Sequence, residues 1–260
     1  MVEVDGSPFA THELTKRRHL ASAIRFLIPV IPPTFYTADL NYQSHASWAS
    51  KYKVDGQILH NAPAPPTKPH FAYRSPSALI PTEADIVVPG DSVGEVHYEG
   101  ELVAVIGRKG KGLSESEALH HVLGFTLGND VSQRSWQHSD RTLWRAKNTD
   151  TFKPMGPVIA TGLDPMALGM TVLINGRVVS EWSTSEMAFG PSQLIALLTR
   201  YVTVNPGDVL WLGTANETLP PLQEGDVVDI SCPNIGVLRN TVSRGPSLRH
   251  IHTDIPAWDD

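Results

Sequence analysis

Glu99 and Glu101 stand one residue apart in EVHYEGELVAVIG, at the mouth of an apolar run from Leu102 to Ile106. On a strand, residues i and i+2 project from one face, so this pair can aim its oxygens at a common point. That geometry suits a cation. An isolated E-x-E is more often a solvated strand face, but the apolar LVAVIG behind this one makes the strand a core strand. Downstream, GFTLGNDVSQRSWQ adds Asp130, followed within a turn by Arg134 and Gln137. A third acidic residue completes a hard oxygen site and leaves about three of six octahedral positions for water or substrate around Mg²⁺ or Mn²⁺. An open site of that kind is catalytic rather than structural.

Such a cluster needs a rigid frame, and the composition provides for one. With 260 residues the chain can bury a sizeable core and suits one large domain. Its 41% hydrophobic content reads as an ordinary globule, and 21 prolines with 20 glycines predict many turns and a β-rich fold. The formal charge of −6, with no basic stripe or arm, argues against nucleic acid as a partner. No apolar run approaches the ~20 residues needed to span a bilayer. The opening MVEVDGSPFATHELTKRRHL lacks the apolar core of a secretory signal, so a cytoplasmic location is expected. Cys232 is the one cysteine, which excludes a disulfide or a thiolate zinc cluster within the chain and reads as a small buried hydrophobe.

Along the chain, HELTKRRHLASAIRFLI (residues 12–28) predicts a short basic helix ended by Pro29, Pro32 and Pro33. APAPPTKP (62–69) is too proline-rich for helix or central strand and reads as a loop or lid. SESE offers Ser114 as N-cap with Glu117 three residues on, predicting a helix to about Leu123. Asn175-Gly176 between two β-branched runs is a strong hairpin signal, SQLIALLTRYV has helical spacing, and the last two strands should fold back at PNIG. A polar tail over 244–260 holds His250 and His252, two alternating histidines that are more often solvated than metal-bound.

The stretches LNYQSHA, SPSALI, VHYEGELVAVIG, GFTLGNDVSQRSWQ, AKNTDTFKPMGP, the run from Ile174 to Thr214 and GDVVDISCPNIGVLRN resemble, in order and spacing, the fumarylacetoacetate hydrolase family over roughly residues 35–243. The resemblance implies an α+β, mainly β fold, a mixed β-roll or sandwich with peripheral helices. A short N-terminal segment (1–34) would precede the catalytic domain (35–243). It also implies a Mg²⁺ or Mn²⁺ ion, a homodimer, and chemistry on small anionic 2-oxo acids or β-dicarbonyls. The family's metal carboxylates fall on Glu99, Glu101 and Asp130, the three that spacing also selects. Its catalytic groups fall on His45, Lys147 and Gln137, and its substrate-binding groups on Arg134, Thr214, Arg74 and Tyr42. Three carboxylates around one dication would repel an anionic substrate unless cations answer them, a role that Arg134 and Lys147 can fill.

Three departures bear on the reaction. Hydrolytic members commonly carry a glutamate three residues after the histidine, and here that position is Trp48. An acid partner fixes the imidazole tautomer and stabilises the imidazolium, so its loss weakens the case for water activation. Glu181, Glu217 and Asp140 are candidate replacements. The common lysine after the proline-rich segment is Arg74, and the usual TGTP reads LGTA from Leu212 to Ala215. The leading expectation is metal-dependent C–C hydrolysis of a small 2,4-dioxo acid. A decarboxylase or an enol–keto isomerase or hydratase on the same chelate is the alternative, which Trp48 favours. The third reading is a non-catalytic metal-binding module.

Overall fold

The apolar run behind the two glutamates folds as the strand Gly100–Ile106, buried along its whole length. The computed structural model describes residues 2–10, 12–54, 56–59, 65–215 and 219–246. Leu102, Ala104 and Ile106 join one apolar cluster, while Val103 and Val105 join a second around Trp211 on the opposite face. A strand covered on both sides must be apolar at consecutive positions, which is why the pattern does not alternate.

This strand sits fourth in a seven-stranded sheet ordered His70–Tyr73, Phe35–Asp39, Val209–Trp211, Gly100–Ile106, Val122–Asn129, Lys153–Ala160 and Leu79–Ile80. Its neighbours run antiparallel to it, while the pairs Val209–Trp211 with Phe35–Asp39 and Lys153–Ala160 with Leu79–Ile80 are parallel. A second, five-stranded sheet is ordered Arg177–Ser183, Gly169–Ile174, Val227–Cys232, Gly236–Arg244 and Asp85–Val88. The larger cluster lies between the sheets, joining Leu102 and Leu127 of one to Met170, Val172 and Ile230 of the other. The smaller one is closed over by Phe9, Ile28 and Val30 of the N-terminal segment. The fold is mainly β and mixed, with the helices Gln43–Ala49, Glu115–Ala118 and Pro191–Thr199 at its periphery.

Gly128 shows how tightly the sheet closes. A Cβ built there would meet ring atoms of the fully buried Trp211 at 2.6 Å. Gly128→Ala should therefore cost about 1–3 kcal/mol of overpacking. Urea unfolding checks this, and an unchanged midpoint would mean that the indole has room to retreat.

Local turn chemistry accounts for several elements. Asn175 and Gly176 both take positive φ, 52° and 75°, between Gly169–Ile174 and Arg177–Ser183. Both central residues of a type I′ hairpin require that conformation. The turn at PNIG joins Val227–Cys232 to Gly236–Arg244. Glu117 accepts hydrogen bonds from the Ser114 backbone N–H (3.0 Å) and hydroxyl (2.6 Å), but the helix ends at Ala118 and passes through a 3₁₀ turn, Leu119–His121. It is shorter than expected because the strand partner claims the chain from Val122.

The predicted N-terminal helix is corrected. Residues His12–Arg18 form a strand paired with Val2–Gly6, and only Ala21–Ala23 turn helically, as a 3₁₀ segment. Most of the apolar face that a helix would need lies in solvent: Leu14, Leu20 and Leu27 are 74%, 76% and 70% exposed. Without tertiary packing, amphipathic spacing alone does not hold a short helix. Residues 62–64 of the expected lid, Glu217, and the tail with His250 and His252 lie outside the described residues.

Candidate active site

The backbone brings the acidic residues together before any side chain acts. Strand Gly100–Ile106 pairs with Val122–Asn129 in a register that sets Gly100 opposite Asn129. Just beyond that rung, the Asp130 N–H donates to Glu99 O at 2.8 Å, and Glu99 N–H donates to the Asn129 side chain at 3.0 Å. The result is a buried cluster of Glu99, Glu101 and Asp130 in which one oxygen of each lies within 4.8 Å of the others. A short ladder, Val96–His97 with Ser132–Gln133, then carries the chain so that Arg134 faces back onto Glu99.

Four cations answer the carboxylates. Arg134 Nη2 donates to Glu99 Oε1 at 2.7 Å, and Lys147 Nζ bridges Glu99 Oε2 at 2.6 Å and Asp130 Oδ2 at 2.8 Å. Arg74 spans Asp130 through Nε (3.2 Å) and Nη2 (2.9 Å) and also reaches Asp39 at 2.8 Å. Lys153 Nζ lies 2.7 Å from Asp130 Oδ1. Burial by itself would raise Glu99, but Lys147 and Arg134 outweigh it and hold the carboxyl at about 2. Burial is likewise overcome at Asp130, which Arg74, Lys147 and Lys153 hold well below the usual carboxylate range. Lys147 stays a cation because Asp130 and Glu99 outweigh its burial, whereas burial brings Lys153 down to about 8.

Glu101 differs. Burial, then the charges of Asp130 and Glu99, push its carboxyl well above the ordinary range, and among the hydrogen bonds of the described residues its partner is the Gly213 N–H, at 2.8 Å. Gly213 can offer that N–H because it holds φ +85°, with its Cα so near Ala38 O that a Cβ would approach it to 2.9 Å. A buried carboxylate that has no ion-pairing side chain among the described residues, next to two others, is a fit for a hard dication: Glu99, Glu101 and Asp130 would hold it.

A small cavity of about 60 Å³ opens on this cluster, lined by His45, Glu99, Glu101, Arg134, Gln137 and Lys147, with Thr214 and the apolar Leu40, Ala49, Leu59 and Leu143. The Thr214 hydroxyl is buried and has no hydrogen-bond partner among the described residues. Gln137 Oε1 accepts from Arg134 Nη1 at 3.0 Å. His45, on the helix Gln43–Ala49, has Nε2 3.7 Å from Glu99 Oε1, and its ring stacks on Trp48 with centroids 5.2 Å apart. Trp48 in turn stacks on Tyr52 at 4.5 Å and lies 5.1 Å beneath the Arg134 guanidinium carbon.

Of the ten expected site residues, seven line this cavity, Asp130 completes its carboxylate cluster, and two stand apart from the lining. Arg74 is buried behind Asp130. Tyr42 is fully buried in the main core beside Trp182. The candidate acid partners fare no better: Asp140 accepts from the Arg145 and Ala146 backbone N–H groups at 2.8 and 2.5 Å, and Glu181 is exposed on the five-stranded sheet. Sequence reading missed Asp39, His97 and Lys153. His97 had a signal, since 97, 99 and 101 share the strand's period of two; its Nδ1 accepts from Arg134 Nε at 3.1 Å, and burial together with Arg134 holds the ring near 3, and so neutral.

Comparison with known proteins agrees with this arrangement. The family model for the fumarylacetoacetate (FAA) hydrolase C-terminal domain matches residues 34–243. The chain is 33% identical to the oxaloacetate tautomerase fahd2 of Xenopus laevis over 90% of its own length and 73% of that protein's. Its fold superposes on the 2-hydroxyhepta-2,4-diene-1,7-dioate isomerase of Mycobacterium marinum with a TM-score of 0.81, at 32% identity, covering 94% and 87% of the two chains. The maleylpyruvate hydrolase of Sphingobium sp. SYK-6, crystallised with manganese(II) and pyruvate, shares the fold at a TM-score of 0.71 and 24% identity, over 86% and 75% of the chains. Relatives of this fold thus include a tautomerase, an isomerase and a hydrolase, and among the described residues no helix is long and apolar enough to cross a membrane. With the carboxylate cluster framed by the same strands that the family model spans, the chain belongs to the fumarylacetoacetate hydrolase family.

Proposed function

We propose that this protein is a divalent-metal-dependent enzyme that interconverts the enol and keto forms of a small 2-oxo acid. The observation that carries the reading is the setting of His45. Its ring packs on the indole of Trp48, and the carboxylate beside it, Glu99, is already committed to Arg134 and Lys147. A histidine so placed can move a proton at a bound carbon or oxygen, and an indole stands three residues on, where hydrolytic members of the family commonly carry the glutamate that favours ionising a water.

Tautomerisation needs less. The enol proton leaves the C2 oxygen, a proton is delivered to C3, and the mass is unchanged. When bound, Mg²⁺ or Mn²⁺ would supply Lewis acidity toward the 2-oxo carboxylate end. Lys147 and Arg134 neutralise the anionic charge that develops there, Thr214 and Gln137 offer hydrogen bonds across the cavity, and His45 carries the proton at C3. The apolar side chains of Leu40, Leu59 and Leu143 exclude water from the distal end of the acid.

The test is product identity. The protein with Mn²⁺ is incubated with enol-form oxaloacetate and with a panel of acylpyruvates, and products are read by mass and by loss of enol absorbance. Unchanged mass with accelerated enol decay supports the proposal. Two fragments would restore C–C hydrolysis, and CO₂ release would indicate decarboxylation. In the same assay His45→Ala should slow tautomerisation by about 10²–10⁴-fold, the range of acid–base assistance. Trp48→Glu should leave tautomerisation within a few-fold while raising any acylpyruvate hydrolysis; undiminished tautomerisation in His45→Ala would remove the histidine from the mechanism.

A further inference from the structure

Lys153 is fully buried on the strand Lys153–Ala160, and it does not line the cavity. Its three N–H groups are all engaged: Asp130 Oδ1 at 2.7 Å, Phe152 O at 2.9 Å and Val131 O at 3.0 Å. A fully buried ammonium is costly, and Arg74 and Lys147 already meet Asp130. Arg74 contributes two contacts to Asp130, Lys147 one and Lys153 one. A carboxylate has about four lone-pair sites, so Asp130 is saturated.

We propose that Lys153 is a positioning residue that holds Asp130 from behind and limits how tightly the carboxylate cluster binds a divalent ion. The inference rests on the reading of that cluster as a metal site and adds what sets its strength. An ion can use Asp130 only by displacing one of its partners. Lys153 cannot leave, because two backbone carbonyls pin it, and Arg74 is pinned by Asp39 and by Tyr73 O. Lys147, which borders the cavity, is the partner able to turn aside. Lys153 therefore remains one carboxylate away from a bound dication. Asp39, Glu99, Glu101 and Asp130 face Arg74, Arg134, Lys147 and Lys153, four acidic groups against four basic ones, so even with Glu101 ionised the cluster offers an incoming ion no net negative charge. Removing Lys153 leaves it one charge more negative, with like-charge repulsion relieved in a medium where a few ångströms matter.

The experiment is calorimetric titration of Mn²⁺ into the full chain, beside Lys153→Met, which keeps the bulk, and Lys153→Gln, which keeps N–H donors for the carbonyls and is read if the methionine variant does not fold. Circular dichroism confirms folding. The affinity of the folded variants should rise by about tenfold or more, and Mn²⁺ release to EDTA should slow in step. Affinity that is unchanged or weaker in a folded variant overturns the proposal and leaves Lys153 as a structural counter-ion. Wild-type protein that takes up no Mn²⁺ beside a variant that does supports it. Uptake by neither overturns both this proposal and the metal reading.

Discussion

Lys147→Met should retain its fold with Mn²⁺ present and lose about 10²–10³-fold in kcat, the range observed when one preorganised donor to a developing oxyanion is removed. The size follows from position. Among the described residues Lys147 is the one cation that touches two of the three clustered carboxylates and also borders the cavity. Its ammonium is held charged by Asp130 and Glu99 against the pull of burial, so it is available as a fixed positive charge at neutral pH. The methionine variant should also unfold more easily in EDTA, because two buried carboxylates are left facing each other, a loss of about 3–5 kcal/mol by analogy with broken buried ion pairs. Mn²⁺ should restore part of that stability. Steady-state kinetics and denaturant titration in both conditions decide the matter. A variant in which KM rises and kcat holds would reduce Lys147 to a substrate anchor.

The second large effect separates two carboxylates that look equivalent in the sequence. Asp130 takes hydrogen bonds or ion pairs from Arg74, Lys147 and Lys153, so Asp130→Asn takes a counter-charge from three buried cations, leaves Lys153 with no carboxylate among the described residues, and should cost about 3–5 kcal/mol even without metal. Glu101 accepts one backbone N–H, from Gly213, and burial already disfavours its charge. Glu101→Gln should therefore leave the metal-free protein as stable as before or slightly more so. Both variants should lose divalent-ion affinity by more than the roughly 10–100-fold that changes behind a ligand produce. Calorimetry with Mn²⁺ and unfolding in EDTA give the two readings. Wild-type Mn²⁺ affinity in Glu101→Gln would take this residue out of the ion's shell.

Much of this arrangement was legible because it depends on local spacing. The period of two along Glu99-Gly100-Glu101 fixes which side chains share a face, and the buried run behind it fixes the depth. Asn175-Gly176 declares its own turn through two positive φ angles. Other features depend on register between distant segments, which spacing does not encode. Lys153 reaches Asp130 and Val131 because Lys153–Ala160 pairs with Val122–Asn129, with Gly128 opposite Met155. Flanked by Phe152 and Pro154, it looks from sequence like a lysine at the edge of a strand. The N-terminal segment failed for the opposite reason: its spacing suits a helix, but the chain returns on itself and leaves most of that face in solvent. The resemblance offers Arg74 and Tyr42 as substrate-binding groups, and depth, which sequence reads poorly, keeps both out of the cavity lining.

The acidic cluster and the walls of its cavity come from different parts of the fold. Glu99, Glu101 and Asp130 are fixed to the ends of two neighbouring strands of the seven-stranded sheet, one of them covered on both faces. Leu40, Ala49, Leu59 and Leu143 belong to the segments that cross over those ends. Selection can therefore act on the two separately. Substitutions, insertions or deletions in the crossing segments can reshape the space for the distal part of an acid while the carboxylate frame is inherited unchanged. A scaffold divided in this way can acquire new substrates by drift in its loops, and one frame can serve a tautomerase, an isomerase and a hydrolase in different lineages.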